Sequence, residues 1–222
     1  CIFRGVDYSN DLEITYYNDL MQEVDTVDTT SLTKYYVSYK IDNSKITSTL
    51  NRVIVVVEFE DLEINFMMLG NKYAGDCIYI KAGDTDILVD AGSRKNSAPV
   101  IKEYLFDKNS DFHNYIEDSK LEYVIVSHAD QDHIAAFLGS DGIFNDSSIE
   151  IETIIEFPKT NKTTALYKEY REAVEKLEAK GTKKYTALEC YNNENGASRI
   201  IEVAAGIEIE ILYNYYYEHE TD

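Results

Sequence analysis

Tyr123-Val124-Ile125-Val126-Ser127-His128-Ala129-Asp130-Gln131-Asp132-His133-Ile134 is the stretch on which the reading of the fold turns. Its first four residues form a continuous apolar and aromatic run. That is the pattern of a strand buried on both faces, and such strands belong to sheets covered on both sides. The run leads straight into four metal-capable side chains, His128, Asp130, Asp132 and His133, with Ala129 and Gln131 as spacers. A divalent ion needs several lone pairs converging from one side, and a loop between a strand and a helix can fold alternating side chains inward together. Two histidines and two aspartates at the mouth of a buried strand therefore read as a metal site rather than as a solvated acidic loop.

Before this loop, Glu63 to Leu69, Asp76 to Lys81 and Ile87 to Asp90 are short apolar runs stopped by Gly70 to Gly75 and by Gly83-Asp84, as consecutive antiparallel strands require. After Asp90-Ala91-Gly92, the residues Val100, Ile101, Tyr104 and Leu105 recur at helical spacing. Beyond the loop, Ile134 to Leu138 begins a helix, and Ile149 to Phe157 returns as a strand that Pro158 ends. Thr164 to Lys180 is the clearest helix, with Leu166, Tyr170, Val174 and Leu177 on one stripe and Gly181 as its stop. Strand-like segments follow at Arg199 to Val203 and Ile207 to Tyr213. Strands and helices alternate through this part of the chain, which makes residues 60–222 an α/β domain. Residues 1–59 read as a small all-β region: Tyr35 to Ile41 alternates, Asp42-Asn43-Ser44 supplies turn residues and Arg52 to Phe59 is largely β-branched and apolar. This region has no histidine and reads as a packing or attachment module, with Val24 to Leu32 as loop.

A chain of 222 residues with 44% hydrophobic residues can bury a sizeable core. The formal charge of -20, from 41 acidic against 21 basic residues, disfavours nucleic acid and other polyanions as partners, although divalent ions in a cleft reverse the sign locally. The run Val53 to Val57 is too short to cross a bilayer, so no transmembrane segment is expected. No secretory pattern is visible, and the location is left open between cytoplasmic and extracytoplasmic. Cys1 stands where a lipid-anchored bacterial protein would begin. Cys1, Cys77 and Cys190 lie far apart without a CxxC pair, which excludes a zinc ribbon or a disulfide framework; Cys77 reads as a small core residue.

The H-x-D-x-D-H loop resembles the H-x-H-x-D-H signature of metallo-β-lactamase-fold hydrolases. Phe66 to Gly70, Gly75 to Ile80, Ile87 to Gly92 and Ser127 to Ile134 follow in that family's order. The sequence looks most like the branch that contains the metallo-hydrolase domain of ComEC-type competence proteins, where Asp occupies the third motif position. The resemblance implies the N-terminal portion of an αββα sandwich. It further implies that His128 and Asp130 hold a first ion and Asp132 with His133 a second, that Asp90 supports the site rather than ligating, and that Gly92 and Asp76 belong to the supporting loops. The implied chemistry is metal-assisted hydrolysis of a small-molecule or phosphoester substrate, with Asp132 orienting the attacking water. One or two divalent ions are expected, zinc first; a carboxylate in place of an imidazole hardens the first position and makes manganese the alternative.

The family completes its site with an Asp and a His from the second half of the fold, and neither motif appears before Asp222. His219 lies in an acidic tail and His113 reads as a loop residue. The domain is therefore expected to lack its C-terminal part, and the alternative function is a noncatalytic or regulatory binding module with an incomplete metal site. A half-fold with an open sheet edge and face predicts dimerisation or poor solubility.

Overall fold

The computed structural model describes residues 11–31, 33–42, 47–56, 61–69, 75–109 and 116–219. Cys1, His113 and the turn at 43–44 lie outside them. The chain divides into two compact units, Cys1–Phe59 and Glu60–Asp222.

The first unit is an antiparallel sheet of β1 (Leu12–Tyr17), β2 (Glu23–Val24), β3 (Lys34–Asp42) and β4 (Thr47–Val55), in the order β2-β1-β3-β4. The alternation in Tyr35 to Ile41 is realised in β3, where Tyr35, Val37 and Ile41 are buried. The sequence reading left β1 unassigned. Its Leu-Glu-Ile-Thr-Tyr-Tyr run is largely exposed at its start, and it becomes a strand by pairing along β3, Leu12 opposite Ile41 through Tyr17 opposite Tyr36.

The second unit is built on a six-stranded mixed sheet. Its strands are β5 (Leu62–Phe66), β6 (Ile78–Ala82), β7 (Thr85–Val89), β8 (Lys120–Val126), β9 (Glu150–Glu156) and β10 (Lys183–Thr186), in the order β10-β9-β8-β7-β6-β5. The first three strands form an antiparallel meander, as the Gly and Asp stops require. The remaining neighbours, β7 with β8, β8 with β9 and β9 with β10, are parallel. The parallel pairs need crossovers: α1 (Ala98–Phe106) joins β7 to β8, α3 (Ala165–Glu178) joins β9 to β10, and the single turn α2 (Gln131–Ile134) with the 3₁₀ turns after it joins β8 to β9. A fourth helix, α4 (Ala187–Asn192), follows β10, and β11 (Ile200–Ala204) with β12 (Ile207–Glu210) forms a two-stranded antiparallel sheet.

One face of the large sheet carries Leu88, Leu121, Val124, Val126, Ile151 and Ile154, packed under Ile101 and Leu105 of α1 and under Tyr170, Val174 and Leu177 of α3. The opposite face presents Ile87, Val89, Tyr123, Ile125 and Ile155 to the β11-β12 pair and to Cys190 and Tyr191 of α4. The Thr85 hydroxyl donates to the Val203 carbonyl, tying the two sheets together. This double coverage is why β8 can be apolar at consecutive positions.

The sheet end next to the motif is secured by a buried charge. Glu156, at the end of β9 and 3% exposed, accepts from Tyr170 Oη at 2.9 Å and from Arg171 Nη1 at 2.6 Å. Taking a carboxylate out of water is tolerable only with such partners. Burial, joined by the Glu156 charge, raises the Tyr170 hydroxyl well above its ordinary pKa, so it stays a donor.

Candidate metal centre

All the motif side chains sit at one edge of the second unit's large sheet, past the C-terminal ends of β7, β8 and β9, where open α/β sheets place their sites. Three loops meet there. Asp90 follows β7 in the left-handed region at φ 59°, a conformation that Asp tolerates better than most residues. Its amide still donates to the Ile125 carbonyl at 2.9 Å, and the turn aims its carboxylate at the start of the motif loop. The turn of α2 is held against this loop by its backbone: Ala91 N donates to His133 O at 2.7 Å, Ala136 N to Ala91 O at 3.1 Å and Ala135 N to Gly92 O at 3.2 Å. The His133 carbonyl is thereby taken from the amide four residues on, so the helix expected from Ile134 tightens into a 3₁₀ turn over Ala135–Phe137.

The third loop enters β6. Asp76 N donates to Asp132 O at 3.2 Å, and Gly92 N donates to Asp76 O at 2.8 Å. Gly75 passes so close that a Cβ there would lie 2.6 Å from Ser93 N and 2.9 Å from Asp132 O, which only glycine avoids. Gly92, at φ 65°, has a second constraint, since a Cβ on it would strike Leu69 Cδ1 at 2.2 Å. Asp76 and Gly92 thus contribute backbone; the Asp76 carboxylate is 72% exposed, with Oδ2 4.0 Å from His133 Nδ1.

Hydrogen bonds fix which nitrogen each imidazole presents. Asp90 Oδ1 accepts from Ser127 N at 2.8 Å, and Asp90 Oδ2 accepts from Ser127 Oγ at 2.6 Å. The same Oδ2 lies 2.7 Å from His133 Nδ1. The hydroxyl proton of Ser127 is spent on Asp90, so its oxygen accepts from His128 Nδ1 at 2.9 Å. Both rings then carry their proton on Nδ1 and offer an Nε2 lone pair, the arrangement in which a metal-binding imidazole donates its other nitrogen to a carboxylate or hydroxyl. Burial of His133 works against its charged form, but the Asp90 hydrogen bond and the charges of Asp90, Asp132 and Asp76 outweigh it and raise its pKa.

His128, Asp132 and His133 each bring one ligand atom to within 4.8 Å of the other two. The two rings lie 3.8 Å apart between centroids, and Asp132 Oδ2 is 3.7 Å from His133 Nε2. Two imidazole nitrogens and a carboxylate oxygen converging from one side are a donor set that fits a divalent ion such as zinc. Asp130 stands apart from this trio. Its Oδ1 is 2.7 Å from Lys162 Nζ, while Oδ2 is 3.7 Å from His128 Nε2. The Lys162 hydrogen bond holds the Asp130 carboxyl below its ordinary pKa. The ligand atoms group as three and one, where the resemblance implies two pairs. His219 is engaged elsewhere, its ring stacked on Tyr215 at 3.9 Å and Nδ1 2.9 Å from the Tyr215 carbonyl.

A family model described as the metallo-beta-lactamase superfamily matches residues 70–187, just over half of the chain. The chain belongs to the metallo-beta-lactamase superfamily. The match takes in the motif loop, both supporting loops and the Lys162 segment. No curated protein matches the chain closely enough to name a relative. Members of the superfamily are typically metal-dependent hydrolases that bind divalent metals, often zinc, and the His-Asp-His cluster supplies a place for one here. Sequence reasoning passed over Ser127 and Lys162 as site residues. A serine directly before the first motif histidine was a visible signal; Lys162, on the loop after β9, carried none.

Proposed function

We propose that this protein is a metal-dependent hydrolase that cleaves a phosphoester with a metal-activated water, holding its ion on His128, Asp132 and His133. The observation that carries the reading is that one nitrogen of each imidazole and one Asp132 oxygen lie within 4.8 Å of one another at the C-terminal edge of parallel strands, with both rings hydrogen-bonded through Nδ1. A divalent ion held by His128, Asp132 and His133 would supply a water of lowered pKa, from ~16 to about 7, and positive charge for a developing oxyanion. The protein's own part is to bind and orient. Asp90 and Ser127 lock the imidazoles, which limits the reorganisation needed at the moment of reaction. Asp132, its side chain 48% exposed, would accept a hydrogen bond from the attacking water and orient it toward phosphorus.

Zinc is the first choice of metal, and the carboxylate of Asp130 beside His128 keeps manganese as the alternative. The phosphoester rests on the resemblance to the ComEC-type branch, as does the proposal that the six-stranded sheet is the first layer pair of an αββα sandwich. A small phosphodiester fits the charge of -20 better than a long polyanion does.

The test is metal content by mass spectrometry together with turnover of bis(p-nitrophenyl) phosphate, for the wild-type chain and for Asp132→Ala. The expected result is that the substitution removes both bound metal and turnover. Metal content unchanged by Asp132→Ala rejects the ligand assignment. Metal bound by the wild type without turnover of any phosphoester favours the second reading, a noncatalytic module that keeps the fold and an ion.

A further inference from the structure

We propose that Lys162 acts as a built-in cation of this centre: its ammonium holds the place at Asp130 that a second divalent ion would take, so the site binds a single ion. The inference rests on the reading of His128, Asp132 and His133 as metal ligands and adds a role for a residue outside the motif.

The geometry points to it in three ways. Lys162 Nζ lies 2.7 Å from Asp130 Oδ1, within hydrogen-bond distance. The other oxygen, Oδ2, is 3.7 Å from His128 Nε2, so the carboxylate bridges the ammonium and the edge of the His-Asp-His cluster. The lysine is also anchored along its own loop, where Lys162 N donates to Thr160 Oγ1 at 3.1 Å, and its side chain is 28% exposed rather than free in solvent. A second ion at Asp130 would have to displace this ammonium from the carboxylate. Lys162 is on this account a positioning residue: it sets the orientation of Asp130 and the number of ions, and touches no reacting atom.

The experiment is zinc stoichiometry of the full chain by equilibrium dialysis and mass spectrometry, with calorimetric titration of zinc alone as the second measurement. Wild type is expected to take up a single ion. Lys162→Met and Lys162→Gln, either of which suffices if the other misfolds, should each admit a second, weaker ion. Lys162→Arg should restore the wild-type count, and adding Asp130→Asn to Lys162→Met should abolish the second ion. A merely structural lysine would lower occupancy when removed, never raise it. Two ions in the wild type, or a single ion with unchanged affinity in all variants, overturns the role of Lys162 and leaves the three-ligand reading intact. No ion bound by the wild type overturns both.

Discussion

The Asp90 carboxylate is the residue on which the centre's geometry converges. One oxygen takes the Ser127 amide and the other takes the Ser127 hydroxyl and His133 Nδ1. Removing it with Asp90→Ala should leave the motif ligands in place chemically but free their rings to rotate. The expected effect is a fall in zinc affinity of about 10–100-fold, read by competition with a chelator of known affinity; an unchanged affinity would show that the rings need no such support. A second residue-scale test uses Asp146. Its Oδ2 accepts from Lys102 Nζ at 2.8 Å and its Oδ1 from Ser148, and the Lys102 hydrogen bond leads the causes that lower its pKa to about 2. A lowered carboxyl pKa stabilises the fold above the unfolded value of roughly 3.9, and the contribution is lost as pH falls toward about 2. Lys102→Met should therefore move the Asp146 midpoint upward in a carboxyl-carbon NMR titration, and the stability gap between the two proteins should narrow as the solution is acidified from neutral. At this scale the types and spacing of the four motif residues are the signal, and the structure brings His128, Asp132 and His133 together while Asp130 pairs with Lys162. The sequence was silent on Lys162, because an ion pair across two loops exists only once β8 and β9 lie side by side.

Among the elements, those with a strong hydrophobic period were readable and those made by tertiary partners were not. The stripe of Tyr170, Val174 and Leu177 announced α3, and Thr164 caps it, accepting from Tyr167 N at 3.2 Å. β10 was missed because Lys183-Lys184-Tyr185-Thr186 has no apolar run; it is a strand through its parallel ladder with β9. α4 was missed although Thr186-Ala187-Leu188-Glu189 is a capping box with both reciprocal bonds formed, a signal that a six-residue helix with little apolar periodicity could not reinforce. The extent of α2 was misjudged because a backbone carbonyl promised to the helix is captured by the Asp90 loop, a competition no local pattern encodes. Two substitutions test the packing of α3. Tyr170→Phe strips one donor from the buried Glu156 and should cost about 1.5–3 kcal/mol in urea unfolding. Thr164→Ala should cost roughly 1 kcal/mol by loss of the cap. A cost for Tyr170→Phe no larger than that for Thr164→Ala would mean that Glu156 is better solvated than its burial implies.

For the molecule as a whole, the division into Cys1–Phe59 and Glu60–Asp222 assigns every metal-capable group of the motif to one compact unit. That unit owns a continuous core from Leu69 to Leu177 between the sheet and its helices. Residues 60–222 produced alone should therefore unfold in one cooperative transition and retain the zinc affinity of the full chain, as judged by thermal denaturation with and without zinc. Loss of binding in that fragment would show that the first unit takes part in the site. The most direct measurement for the centre itself is zinc K-edge X-ray absorption on the loaded full chain. The expected spectrum shows imidazole scattering from two rings together with a carboxylate oxygen, at metal–ligand distances of about 2.0–2.2 Å, and the imidazole signature is lost in the His128→Ala, His133→Ala double variant. A spectrum without imidazole scattering, or one that the double variant leaves unchanged, would contradict the ligand assignment.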